Sequence, residues 1–318
     1  MLTVADFYEH NRNILGLRIL VAANFSATIL QPRIQKSGLA LTGYTEFVHE
    51  DRIQIFGQTE MGYLGSIGRA EATRKLESFL TFPFPAVLIT HHPQPIEPWM
   101  LELFTRHGVA LLQTVQTSSH VIATVTRYLE FELAEQTTLH GGMMDIFGVG
   151  MLITGESGIG KSECCLDLIT SGHRLVADDV VLVKNISGEL VAFSNNELEH
   201  HMEVRGLGII NIKDIFGAAS VRRRKKVELI IELQSWERQN AAQLERLGDT
   251  RSFRHVLDID IPVVCLPVTP GRNIAKILEV LARNTILQNM GYQTVETFMS
   301  KLHNRIQSKT ADGSTGGA

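Results

Sequence analysis

Met151 to Ile169 reads MLITGESGIGKSECCLDLI, and the reading of the whole chain starts from this stretch. MLIT is an apolar run that predicts a buried strand, and SECCLDLI predicts a helix. Between them, Gly155 to Ser162 (GESGIGKS) satisfies G-x-x-x-x-G-K-[ST], the phosphate-loop pattern. Each residue type has a physical task. Gly155, Gly158 and Gly160 allow backbone N–H groups to turn inward around phosphate oxygens. Glu156, Ser157 and Ile159 complete the loop that is expected to cradle a nucleotide. The helix that follows points its positive end at the anion. Lys161 is expected to reach the terminal phosphates, and Ser162 to ligate magnesium through its hydroxyl. The loop therefore predicts ATP and Mg2+ as cofactors, but GTPases, ATPases and kinases share it. Guanine recognition would need N-K-x-D. The nearest string, Asn211-Ile-Lys-Asp214, has its Lys one place late and is rejected.

Downstream, Arg174 to Lys184 (RLVADDVVLVK) places Asp178 and Asp179 inside a β-branched run. Neighbours on a strand face opposite sides, and burying either acid unpaired would cost several kcal/mol. One carboxylate can hold magnesium while the other takes a proton from an incoming hydroxyl. An Asp-Asp hairpin turn with both acids solvated is the competing reading. Farther on, Glu199 to Gly208 reads EHHMEVRGLG. Glu203 and Arg205 are expected on one side of an extended segment, Glu203 as a second magnesium ligand and Arg205 against phosphate; a simple salt bridge between them is the alternative. Upstream, His140 precedes Gly141-Gly142 on an expected hairpin over 138–150. It is either a structural histidine or one brought near the phosphates.

The rest of the chain predicts an α/β protein of two domains. The first, 1–133, is a small α/β domain: helices over Thr3–Asn13, Ile67–Leu80, Glu97–His107 and Ser118–Ala134, and strands at Ala40–Phe47, Arg52–Phe56, Ala86–Thr90 and VALLQT. The second, 134–310, carries the phosphate loop in a mixed sheet. Its strands are VGMLITG, Arg174–Asn185 paired with Glu189–Ser194, Val227–Leu233, Val256–Ile259 and Val263–Val268. Helices are expected over Ser162–Ser171, Arg272–Met290 and Thr294–Ile306, and 311–318 (ADGSTGGA) as a disordered tail.

Bulk properties exclude several classes. The 318 residues are 44% hydrophobic and 20% charged, with a formal charge of −4, which favours no polyanion or membrane partner. The three cysteines form no disulfide framework, no secretory signal is evident, and no 18-residue apolar run occurs, so a cytoplasmic protein is expected. Arg222 to Lys226 (RRRKK) lacks interleaved aromatics, so nucleic acid is not expected, and a solvated loop is the plain reading. His91-His92-Pro93 is expected to be a loop, and Cys164 and Cys165 to be buried packing.

His140-Gly141, GESGIGKS, GHRLVADD and above all MEVRGLGIINIKDIFG (Met202 to Gly217) resemble the bacterial HPr kinase/phosphorylase family. The resemblance runs the length of the chain and is densest over 138–290. It implies a protein-serine kinase acting on HPr, the phosphocarrier protein of the sugar phosphotransferase system. It also implies phosphorolysis of the seryl phosphate by inorganic phosphate, giving pyrophosphate, and assembly as a hexamer. It implies roles as well: His140 in the active site, Lys161 catalytic, Ser162 and Glu203 on magnesium, Asp179 as proton acceptor forward and donor in reverse, Asp178 as its auxiliary neighbour. Arg246, in ERLGD, resembles an active-site Arg. The segment Met202, Glu203, Val204, Arg205, Gly206, Leu207, Gly208, Ile209, Ile210, Asn211 is implied in both activities. The segment Pro267, Val268, Thr269, Pro270, Gly271, Arg272 is implied in the phosphorylase direction, with Pro270 an unusual choice. Two other readings compete: a small-molecule kinase or carboxykinase-like enzyme, and a non-catalytic ATP sensor.

Overall fold

The computed structural model describes residues 1–92, 94–194, 199–235, 252–269 and 271–291. Arg246, Pro270, Pro93, the expected helix at 294–306 and the tail at 311–318 lie outside the described residues. The chain divides into two compact units, Met1–Ala134 and Glu135–Ala318.

The first unit runs α1 (Val4–Leu15), β1 (Arg18–Val21), β2 (Ile34–Lys36), α2 (Gly38–Thr42), β3 (Ile53–Phe56), α3 (Gln58–Ser66), α4 (Arg69–Phe79), β4 (Ala86–Thr90), α5 (Pro98–His107), β5 (Ala110–Thr114) and α6 (Ser118–Glu132). Its sheet has the order β1-β5-β4-β3-β2, with β2 to β5 parallel and β1 antiparallel at the edge. Strand β4 shows why its sequence, AVLIT, is apolar throughout. Val87 and Ile89 pack with Leu76 and Phe104 on one face, while Ala86 and Leu88 pack with Phe7 and Val125 on the other. A sheet covered by helices on both faces buries every residue of its central strand. The expected strand at Ala40–Phe47 is instead α2 followed by a turn. Leu39, Ala40 and Leu41 favour helix, and Gly43 closes it in the left-handed region at φ 108°.

The second unit continues with β6 (Gln136–His140), β7 (Gly142–Ile146), β8 (Val149–Gly155), α7 (Lys161–Thr170), β9 (Arg174–Ala177), β10 (Val180–Ile186), β11 (Glu189–Phe193), β12 (His201–Val204), β13 (Gly208–Asn211), α8 (Ile212–Phe216), β14 (Arg224–Lys226), β15 (Leu229–Ser235), β16 (Ser252–Val256), β17 (Ile259–Val268) and α9 (Ile274–Asn289). Six strands form a mixed sheet in the order β16-β17-β15-β8-β7-β9, and four form a second sheet, β14-β11-β10-β6. One core joins the mixed sheet to α7, α9 and the β12–β13 hairpin; the other lies between the two sheets, through Met143, Leu152, Val176, Val181 and Ile230.

Three strand expectations are corrected here. The hairpin expected over 138–150 is β7–β8, turning at Phe147-Gly148, while 136–140 belongs to the other sheet. The expected strand over Arg174–Asn185 breaks at Asp178-Asp179: β9 ends beside β7, and β10 begins in the four-stranded sheet. The break has a backbone cause, since Asp179 sits at φ 63°, a conformation Asp tolerates better than β-branched residues do. Finally, Val256–Ile259 is not one strand: Val256 ends β16, Ile259 starts β17 opposite it, and Leu257 and Asp258 between them form the tight turn at φ 49° and 60°.

Candidate active site

Strand directions bring distant sequence elements to one edge. Strands β8, β15 and β17 are mutually parallel, and β7 runs against both β8 and β9. The carboxyl ends of β17, β15, β8 and β9 and the amino end of β7 therefore share one side of the sheet. That edge carries Pro267 and Val268, the phosphate loop, Gly141-Gly142 and Asp178-Asp179. Parallel α/β sheets place ligands at such an edge.

Two chain crossings between the sheets lie side by side there. His140 pairs with Val180 and Met143 with Ala177, so the crossing at Gly141 faces the crossing at Asp178-Asp179. The Gly141 N–H donates to the Asp179 carbonyl at 3.1 Å. Neither glycine tolerates a side chain. A Cβ on Gly141 would lie 2.3 Å from the Ile153 carbonyl oxygen, and one on Gly142 would lie 2.4 Å from Cys165 Sγ and 3.4 Å from an Asp178 carboxylate oxygen. Gly142 and Cys165 thus wall in Asp178, a role the sequence signalled only through the Gly-Gly pair.

The adjacent acids have opposite surroundings. Asp178 is only 9% exposed, whereas Asp179 is exposed. The Ser162 hydroxyl donates to Asp178 Oδ2 at 3.1 Å. Burial pushes the Asp178 carboxyl up to about 6; the Ser162 hydroxyl, the Asp179 N–H and the Lys161 charge oppose the shift, and the Asp179 charge adds to it. The Asp178 carboxylate beside the loop hydroxyl is an oxygen donor set of the kind magnesium accepts. Lys161 donates to the carbonyls of Gly155 and Glu156 at 3.1 and 3.0 Å, folded back across its own loop. Gly155 approaches β15 closely, since a Cβ there would stand 2.7 Å from the Leu233 carbonyl oxygen. At the start of α7, Gly160 holds φ 100°.

The remaining expected residues are placed less centrally. The β12–β13 hairpin packs on α7 through Met202 and Val204, while Glu203 alternates outward, exposed and without an ion pair or hydrogen bond among the described residues. Arg205 lies in the hairpin turn, not beside Glu203 on an extended segment as expected, because the chain reverses at Arg205 to Leu207. Arg272 donates its N–H to the Thr269 carbonyl at 3.1 Å, and Asn273 then caps α9. The run Arg222 to Lys226 is no loop: its last three residues form β14. Arg222 pairs with Asp145, Lys225 with Glu228 and Lys226 with Glu189. Cys164 and Cys165 are buried, and burial raises both thiols, Cys164 to about 12. Among the described residues no helix is long and apolar enough to cross a membrane.

Comparison with known proteins covers nearly the whole chain. Residues 2–129 match the family described as HPr Serine kinase N terminus, and residues 131–302 match the HPr Serine kinase C-terminal domain. An HPr kinase/phosphorylase of Geobacter sulfurreducens is 42% identical over 309 residues, 96% of either chain. One from Leptospira biflexa is 40% identical over 288 residues, 90% of this chain and 89% of that one. The solved structure of the HPr(Ser) kinase/phosphatase from Coxiella burnetii has 34% identity and a TM-score of 0.47, covering 51% of this chain and 98% of that chain. With family models matching residues 2–129 and 131–302, and relatives 40–42% identical over 89–96% of their length, the chain belongs to the HPr serine kinase family.

Proposed function

We propose that this chain is a bifunctional HPr kinase/phosphorylase. It transfers the γ-phosphoryl group of ATP to a seryl residue of HPr and removes it with inorganic phosphate, releasing pyrophosphate. The observation that carries this reading is the meeting of the phosphate loop with the paired acids: Ser162 bonded to buried Asp178, and exposed Asp179 next to it.

The chemistry follows from the parts. Loop N–H groups and the amino end of α7 hold the phosphates. Lys161 exchanges its two carbonyl partners for phosphate oxygens, a direct trade of neutral acceptors for charged ones. Ser162 and Asp178, with Glu203 assigned by resemblance, would hold magnesium, which when bound neutralises charge on the phosphate oxygens. Asp179 accepts the proton of the seryl hydroxyl in the forward direction. In reverse it protonates the seryl oxygen as inorganic phosphate takes the phosphoryl group, as microscopic reversibility requires. Positioning supplies much of the rate in both directions. His140, held in register beside Val180, borders the same acids. Arg246 and the segment 267–272 complete the assignment by resemblance, as do the cytoplasmic location and the hexamer.

A protein acceptor is favoured over a small molecule by the surface next to α7. Leu207, Ile209 and Ile215 are 70%, 69% and 58% exposed around the hairpin and α8. Large exposed apolar side chains on one hairpin and on the helix that follows it suit a protein partner. The test is transfer of labelled phosphate from ATP to purified HPr with magnesium, alongside Asp179→Asn. Seryl phosphorylation by the native protein, lost in the variant with ATP binding kept, is the expected result. No transfer by folded, ATP-binding protein would overturn the assignment and return the small-acceptor and sensor readings.

A further inference from the structure

Two buried cysteines stand side by side in the first turns of α7, and they meet different neighbours. Cys164 is 6% exposed and packs in the apolar core; burial, and after it the Asp167 charge, raises its thiol. Cys165 is fully buried, and after burial the largest influence on its thiol is the charge of Asp178. Cys165 and Ser162 are three residues apart on α7, so the sulfur and the loop hydroxyl share one helix face. Gly142, at the start of β7, closes the same space. A Cβ there would meet Cys165 Sγ at 2.4 Å and Asp178 Oδ1 at 3.4 Å, so sulfur and carboxylate border one glycine.

This matters because of what Asp178 is offered. Its donors are the Ser162 hydroxyl at 3.1 Å and the Asp179 N–H, and among the described residues no other side chain donates to it. A carboxylate has room for about four hydrogen-bond partners. A further strong donor on its buried side would compete with Ser162 and with a cation. An empty space there would let the carboxylate turn away or admit water. A thiol does neither: it has the bulk of a small hydrophobe and only a weak S–H donor.

We propose that Cys165 is a positioning residue for the metal site, its sulfur filling the buried side of Asp178 without donating to it, so that the carboxylate stays turned to Ser162 and keeps its oxygens for a divalent cation. The role rests on the reading that Ser162 and Asp178 hold magnesium, and Cys164 supplies its control.

The test is titration of the full chain with Mn2+, a spectroscopic stand-in for magnesium, in the presence of a non-hydrolysable ATP analogue. Electron paramagnetic resonance then reads metal binding without turnover. Cys165→Ser sets a hydroxyl against the carboxylate and should weaken Mn2+ binding roughly tenfold, the worth of one competing hydrogen bond to a charged group. Cys165→Ala removes the sulfur without adding a donor and should weaken binding by less. Cys164→Ser makes the same chemical change one residue away, in the core, and should lower the melting temperature while Mn2+ affinity stays native. Asp178→Asn should weaken binding most. The two assignments can fail separately. Native Mn2+ affinity in Asp178→Asn removes the metal site and the proposal with it. Weakened binding in Asp178→Asn beside native affinity in both Cys165 variants overturns the proposal alone. So does an equal loss in Cys165→Ser and Cys164→Ser, which would mark general damage to α7.

Discussion

The two units end their parallel strands in the same way, with helices starting at the carboxyl edge, but they treat the polar groups there differently. In the N-terminal sheet, Thr90 Oγ1 lies 2.6 Å from Ser118 Oγ at the start of α6, and Glu60 accepts the Gly57 N–H at 2.8 Å at the start of α3. Neutral hydroxyls and a capping carboxylate satisfy one another. In the C-terminal sheet, Lys161 rests on loop carbonyls and Asp178 is buried with a single side-chain hydroxyl donor and the Asp179 N–H. One edge is closed on itself, and the other holds charges in reserve. The comparison teaches that the α/β architecture does not choose the working edge; the incompletely neutralised groups do.

The largest expected effect tests that distinction at its centre. Asp179→Asn should lower transfer by about 10²–10⁴ with ATP binding kept, the range for a lost general base. Asp178→Asn should instead raise the magnesium concentration needed for half-maximal rate, because its carboxylate is turned to Ser162. Steady-state rates against magnesium for both variants separate the roles. If Asp178→Asn shows the pure rate loss and Asp179→Asn the metal effect, the assignments are reversed.

How far these differences could be read in advance depended on their range along the chain. The phosphate loop was legible because its chemistry is local: strand, glycines, Lys161 and helix are contiguous. The acids at 178–179 were legible as a misfit within an apolar run. Their meaning was not, because the run is two strands in two sheets, and nothing in VADDVV marks the left-handed backbone at Asp179. The Gly141-Gly142 pair was visible, but its cause lies at Ile153 and Cys165, contacts of tertiary origin. The 40–47 segment failed for a related reason: the helix there is only five residues long, Gly38 to Thr42, too short for a period to show, and it is closed by Gly43 and anchored by buried Leu41. The basic run 222–226 looked unpaired because its partners Asp145, Glu189 and Glu228 lie on other strands or, for Glu228, in the following turn.

The cost of holding charge in reserve should appear in stability. The folded-state value of Asp178, about 6, is above the ordinary 3.8, so folding favours its protonated form. Its contribution is fully present below pH 4 and is lost as pH rises through 6. Asp178→Asn should therefore stabilise the metal-free protein at pH 8 by on the order of 1–3 kcal/mol, with the gain vanishing at pH 4. Chemical denaturation at both pH values measures it. A variant less stable at pH 8 would mean that the carboxylate is well compensated, and the contrast with the N-terminal edge would weaken. Gly141→Ala belongs to the same range. Overpacking costs roughly 1–3 kcal/mol, and a Cβ 2.3 Å from the Ile153 carbonyl must displace backbone that holds Asp179, so stability and transfer should fall together.

The smallest effect tests the closed edge. Thr90→Val removes the hydroxyl bonded to Ser118 and nearly preserves shape within a fully buried position. Ser118 then keeps an unpaired hydroxyl, and the Phe56 carbonyl loses a long 3.4 Å contact. The expected loss is about 1 kcal/mol, typical of one net hydrogen bond. Phosphate transfer should be unchanged at a temperature where the variant is folded, because Thr90 belongs to an edge whose polar groups serve the fold. The measurement is paired: denaturation for stability, labelled transfer for activity. A transfer rate reduced by tenfold in fully folded Thr90→Val would show that the N-terminal edge takes part in the reaction. The division between a self-satisfied edge and a working one would then have to be abandoned.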